Sequence, residues 1–113
     1  MVQHIPQVEI KNVPAELPGD MVVLDVREDD EWQAAHIEGA VHVPLAQLPH
    51  RFGELPPTHR VLVVCRVGAR SAQATGFLQA QGLDAVNLVG GMRAWDGARR
   101  PMVADSGAAP HVI

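Results

Sequence analysis

Cysteine is nearly missing from this sequence: Cys65 is the only one. A single thiol cannot close an intramolecular disulfide or build a cysteine zinc cluster. A reducing cytoplasm is the expected setting, because a reactive thiol survives there. Long hydrophobic runs are missing too. No stretch approaches the roughly 18 apolar residues of a membrane span, and the N-terminus has no charged-then-apolar signal layout. A membrane partner is therefore not expected. Positive charge is scarce: nine basic residues, eight of them arginine, leave a net charge of −4. They are scattered rather than striped along one face, which argues against nucleic acid as a partner. Histidine occurs six times, at His4, His36, His42, His50, His59 and His111, but no two stand at i, i+4. No metal and no cofactor are expected. There is no internal repeat.

What remains is material for one folded unit. A chain of 113 residues, 47% hydrophobic and 19% charged, supports a single core but not two. Residues 1–103 are expected to form that domain. Residues 104–113, which include the small and polar DSGAAP, read as a flexible tail.

The stretch VLVVCRVGARS, Val61 to Ser71, gathers the chemistry. Its four leading apolar residues, three of them β-branched, have the pattern of a fully buried parallel strand. Cys65 follows at the strand's carboxyl end, with Arg66, Gly68 and Arg70 close behind. Ser71 opens AQATGFLQAQG, a helix expected to close at Gly82. Strand, tight loop and helix in that order place the cysteine where open α/β sheets bind ligands. Three effects favour a thiolate there: a nest of loop N–H groups, the helix N-terminus and two guanidiniums. The alternative is an inert core cysteine, which would need no arginines beside it.

Elsewhere the chain alternates strands and helices. Val8 and Ile10 are the expected inward pair of a first strand within residues 1–11, and Pro14, Pro18 and Gly19 punctuate the turn that follows. MVVLDV, Met21 to Val26, is a second buried strand, and Asp25 at its end is costly unless partnered. Arg27 is expected to project from the opposite face, leaving Asp25 to backbone N–H groups or another arginine. Glu28 to Ala35 reads as a short acidic helix anchored inward by Trp32, with carboxylates suited to its N-terminus. His36 is expected to fix the turn at Ile37 to Gly39. Val41 and Val43 mark a brief strand stopped by Pro44. Leu45, Leu48, Phe52 and Leu55 share a helical face that Pro49 should split. Ala85 to Val89 is the last strand. Gly90 and Gly91 then point to a close backbone approach, in the direction of the Cys65 loop, before a short helix with Trp95 as a core anchor. Such alternation predicts an α/β fold, a small parallel sheet of about five strands with helices on both faces.

Four segments in order resemble the single-domain rhodaneses, the thiosulfate-type sulfurtransferases. They are LDVRE (Leu24 to Glu28) with Trp32, HIEGAVHVP (His36 to Pro44), CRVGARS (Cys65 to Ser71) and GGMRAW (Gly90 to Trp95). The resemblance runs from Val8 to Trp95. It departs at Ala35, where the family usually has glycine, and at Val67, where many relatives carry a polar or basic side chain that bears on donor choice. It implies a rhodanese-like domain in which Cys65 is catalytic and Arg66, Val67, Gly68, Ala69 and Arg70 bind the substrate. Asp25, Arg27 and Ser71 would support the loop. The implied reaction passes sulfane sulfur from a small anionic donor, thiosulfate or a persulfide, to a thiol or cyanide acceptor through a Cys65 persulfide. A partner protein could serve as the acceptor. Arg66 and Arg70 would hold the donor and the departing sulfite; alternatively, Arg70 braces the loop by an ion pair with a carboxylate from the Asp25 region. Related phosphatases and arsenate reductases have a loop one residue longer, whereas Cys65 to Arg70 counts six residues. Those activities, a non-catalytic binding module and a redox-sensing thiol are the alternatives.

Overall fold

The computed structural model describes residues 4–113, so residues 1–3 of the expected first-strand region lie outside the described residues. Five strands form one sheet: β1 (Gln7–Val8), β2 (Met21–Asp25), β3 (Val41–His42), β4 (Arg60–Val64) and β5 (Ala85–Leu88). The order across the sheet is β1-β5-β4-β2-β3 and every pairing is parallel. Four α-helices connect and cover the strands: α1 (Asp29–Ala34), α2 (Leu48–Arg51), α3 (Ala69–Ala80) and α4 (Gly91–Gly97). The α/β sheet of about five parallel strands is as expected.

The central strand explains the layering. Val61, Leu62, Val63 and Val64 are all 0% exposed, because β4 has a paired neighbour on each edge and helices on each face. Alternate side chains of a strand point to opposite faces. Val61 and Val63 accordingly pack with Leu48 of α2 and Ala74 and Leu78 of α3, while Leu62 and Val64 pack with Met92 and Trp95 of α4. Each fully buried aliphatic side chain contributes about 1.5–3 kcal/mol. On α3 the buried residues are Ser71, Ala74, Thr75 and Leu78, spaced by three and four along one face.

Several local expectations are corrected. Ile10 packs against the core but lies in a 3₁₀ turn (Ile10–Asn12) rather than in β1. The segment interrupted by Pro49 becomes three pieces, a 3₁₀ turn at Leu45–Gln47, the single turn α2 and a second 3₁₀ turn at Phe52–Glu54. Pro49 sits in the first turn of α2, where its missing N–H leaves no bond unmade. Trp32 does not anchor inward. The space beneath the end of α1 is taken by Arg27, which donates to the carbonyls of Glu31 (3.3 Å) and Ala35 (2.6 Å). Trp32 instead lies half-buried between two imidazoles, stacked on His36 at 3.7 Å and on His42 at 4.6 Å between centroids. The His36 ring bonds backwards to the Trp32 carbonyl (2.8 Å) rather than forwards into the turn. Trp95 is buried, its Nε1–H donating to the Pro101 carbonyl at 3.0 Å. Residues 104–113, read as a flexible tail, lie back along α1. The N–H groups of Asp105 and His111 donate to the carbonyls of Gln33 (3.1 Å) and Ala34 (3.2 Å), and Val112 packs on the core.

Candidate active site

Cys65 leaves the carboxyl end of β4 at the middle of the sheet. The next turn reverses through Gly68, whose φ of +110° is a left-handed conformation that side chains other than glycine rarely adopt. That geometry turns the Gly68 N–H onto the Cys65 sulfur at 3.1 Å. It also starts α3 at Ala69, two residues before the Ser71 start that the sequence suggests. Ser71 then sits in the first turn with its Oγ 3.2 Å from the same sulfur.

A second loop holds the first from behind. Met92 N–H donates to the Cys65 carbonyl at 2.7 Å and Arg93 N–H to the Arg66 carbonyl at 3.0 Å. The approach is so close that a Cβ on Gly91 would overlap the Cys65 carbonyl oxygen and lie 2.8 Å from the Arg66 carbonyl carbon. Of the paired glycines, Gly91 is therefore the one that serves the Cys65 loop, whereas a Cβ on Gly90 would meet Ala94. This backing also encloses the residue, for Cys65 is only 1% exposed. It is more enclosed than the open, partly exposed loop typical of reactive thiols.

Burial alone would push the Cys65 thiol up. Hydrogen bonds outweigh it: the Ser71 hydroxyl and the backbone N–H groups of Ser71, Gly68 and Val67 together hold the thiol below its ordinary range. These donors are the largest effects favouring the thiolate, and the charge of Arg70 adds a smaller attraction to the sulfur. Arg66 turns its Nε away to the Ile113 carbonyl at 3.0 Å. Arg70 spends both terminal nitrogens on Glu31, at 2.7 and 2.8 Å. The brace on Arg70 is thus a carboxylate of α1, not one from the Asp25 region. Val67 stands at the rim, 53% exposed, and Ala69 is exposed beside it.

Asp25 and Arg27 are also rearranged relative to expectation. They are two positions apart, so they share a face instead of opposing one another. Arg27 Nε donates to Asp25 Oδ1 at 2.9 Å and Nη2 to Oδ2 at 2.7 Å, with both side chains buried. Arg27 then holds the end of α1, and α1 holds Arg70 through Glu31. Asp25, Arg27 and Ser71 are in this way tied to the loop, the first two through α1 and the third directly.

Sequence reasoning misses Glu31 and Asn87. Glu31 carries no distinguishing signal among four consecutive acidic residues. Asn87 does carry one: it is an amide inside the apolar strand AVNL, and a polar group buried in a strand must find partners. It is 2% exposed. It touches Ser71 Oγ (2.6 Å), the Gly68 carbonyl (3.3 Å) and Gln7 (3.3 Å). Among the described residues no group of three or more His, Cys, Asp or Glu could hold a metal ion, and no helix is long and apolar enough to cross a membrane.

The profile of the family described as "Rhodanese-like domain" matches residues 11–98. Among curated proteins, the chain is 38% identical over 89 residues to a sulfurtransferase of Allochromatium vinosum, covering 78% of this chain and 83% of that protein. It is 36% identical over 96 residues to YrkF of Bacillus subtilis, described as a candidate sulfur carrier protein, and spans 52% of that protein's length and 82% of its own. Among solved structures, a rhodanese-related protein of Thermoplasma volcanium superposes with a TM-score of 0.77 at 28% identity, over 87% of this chain and 97% of that one.

Proposed function

The chain belongs to the rhodanese-like domain family, and from that premise we propose that it moves sulfane sulfur from an anionic donor of the thiosulfate type to a thiophilic acceptor through a persulfide on Cys65. One observation carries the reading: the Cys65 sulfur accepts hydrogen bonds from Gly68 N–H and Ser71 Oγ at the base of a six-residue loop.

In the first half-reaction the Cys65 thiolate attacks the outer sulfur of thiosulfate. A new S–S bond forms, the old one breaks, and sulfite leaves with the electron pair. The terminal sulfur of the persulfide carries the negative charge, and the converging loop N–H groups are placed to hold it. In the second half a cyanide ion or thiolate attacks that sulfur and the Cys65 thiolate is returned. An already ionised thiol needs no general base, consistent with the lowered Cys65 pKa. Among the described residues Arg66 is bonded only through Nε, so its two terminal nitrogens are assigned to the donor and the departing sulfite. Arg70 is assigned the loop brace. The acceptor in the cell is assigned to a thiol, borne by a small molecule or by a partner protein.

Steady-state formation of thiocyanate from thiosulfate and cyanide tests the reading. Parallel double-reciprocal lines are expected, as in a ping-pong scheme. Converging lines, or hydrolysis of an aryl phosphate faster than sulfur transfer, would overturn it. The latter outcome would assign the loop to phosphate chemistry.

A further inference from the structure

The Ser71 hydroxyl has one proton and two acceptors. Its oxygen lies 3.2 Å from the Cys65 sulfur and 2.6 Å from Asn87 Oδ1, and it cannot donate to both at once. The amide orientation is fixed by a third contact. Asn87 Nδ2 faces the Gly68 carbonyl at 3.3 Å, and a carbonyl can only accept; turning the amide over would set two oxygens against each other. Asn87 therefore presents an acceptor to Ser71.

We propose that Asn87 is a positioning residue for Cys65: its Oδ1 competes with the sulfur for the single Ser71 proton, so the hydroxyl is a rotor whose direction follows the state of the sulfur. With a neutral thiol, the S–H donates to Ser71 Oγ and the hydroxyl donates to Asn87, and every group is satisfied. When the thiol ionises its proton leaves to solvent, and the hydroxyl swings to the thiolate. Asn87 Oδ1 then loses its shortest bond in a buried place. In the persulfide the charge moves to the outer sulfur and the hydroxyl returns to Asn87. Asn87 thus opposes the thiolate, partly offsetting the N–H groups that favour it. A thiolate made too stable is a poorer nucleophile, so attack is fastest when the thiol's pKa lies near ambient pH.

The inference rests on Cys65 being the reacting thiolate of the proposed reading, but its test needs no sulfur donor. Alkylation by iodoacetamide against pH reads ionisation alone, so failure of the rotor and failure of sulfur transfer are separately visible. The charged groups around the loop are Arg66 and Arg70 within it, Glu28 at the cap of α1 and Glu31 within α1, Arg93 from α4 and the buried Asp25–Arg27 pair. None is altered by the variants.

Asn87→Leu should lower the alkylation midpoint by about one pH unit, the size of one hydrogen bond to a charged group. Asn87→Asp, which keeps the acceptor and adds charge, should raise it. Losing the Gly68 contact alone would loosen the N–H groups and move the midpoint up, the opposite sign to the rotor. In a Ser71→Ala background the Asn87→Leu effect should vanish. An unchanged or raised midpoint in folded Asn87→Leu, or the same fall without Ser71, overturns the proposal. The unmutated protein decides independently of whether the variants fold. Its Asn87 side-chain carbonyl ¹³C shift should titrate with the Cys65 midpoint and lose that step in Ser71→Ala. A flat trace, or a step that survives the loss of Ser71, overturns the proposal equally.

Discussion

Arg70 and Glu31 meet in a two-pronged ion pair, at 2.7 and 2.8 Å, across 39 residues of sequence. The contact fastens the far end of the Cys65 loop to α1. It also links the loop to the buried Asp25–Arg27 pair, because Arg27 grips the carbonyls of the same helix.

Glu31→Gln should release Arg70 while leaving α1 in place. Expected stability loss is about 1 kcal/mol, since the pair is partly solvated and such pairs are weak. The larger effect should be kinetic, a several-fold fall in sulfur transfer as the loop loosens. The pH dependence has a definite sign. Arg70's hydrogen bond holds the Glu31 carboxyl below its ordinary value, against the raising effect of burial. Its contribution is therefore fully present above the unfolded carboxyl pKa and is lost as pH falls through the lower folded value. Urea titrations at pH 7 and at progressively acid pH should show wild type and Glu31→Gln converging; a gap that widens in acid would contradict the pairing.

Breaking the Asp25–Arg27 pair should be far more costly than breaking the surface one. Both side chains are about 0% exposed, and removing one partner strands a buried charge. Asp25→Ala should cost about 3–5 kcal/mol. A thermal denaturation midpoint within a degree or two of wild type would show that Arg27 finds another partner.

Much of this architecture is legible in the sequence itself. The strands carrying Leu24 and Val63, the strand-loop-helix run at Cys65 and the glycine pair all announce themselves by continuous apolar runs and turn residues. What stays hidden are partners distant in sequence. Nothing local to Glu31 says that it meets Arg70, and nothing local to Ser71 says that Asn87 shares its proton. The Asp25–Arg27 bond is different, because a spacing of two puts both residues on one face, contrary to the opposite faces expected for them. Trp32 departs from its expected inward position because an arginine fills that space.

Gly91→Ala tests the backing of the loop. At φ +55° its Cβ would overlap the Cys65 carbonyl, and both contacts are backbone. The strain cannot be relieved by a side chain turning away. A left-handed non-glycine residue alone costs about 1–2 kcal/mol, and displacing the loop should add a loss of sulfur transfer of the order of 10²-fold. Wild-type activity with a wild-type melting temperature would show that the two loops are not in register as described.

The Cys65 thiol should react over a pH range below that of an ordinary cysteine. Burial opposes this, but the hydrogen bonds of Ser71, Gly68 and Val67 prevail and the net shift is downward. The alkylation rate should rise with pH to a plateau, with its midpoint below the reference thiol value of about 8.5, and fall as pH drops through the folded value. Added salt should change the midpoint little, because short hydrogen bonds contribute more to it than the charge of Arg70 does. A midpoint at or above that reference would mean that burial wins.

The most direct measurement is the intact mass of the protein after exposure to thiosulfate, followed by peptide mapping and then cyanide. The expected result is a gain of one sulfur atom on the Cys65 peptide, removed by cyanide with formation of thiocyanate, and absent from a folded Cys65→Ser variant. No mass change in the wild type, or the same gain in Cys65→Ser, would contradict a persulfide at Cys65 and with it the sulfur-transfer account.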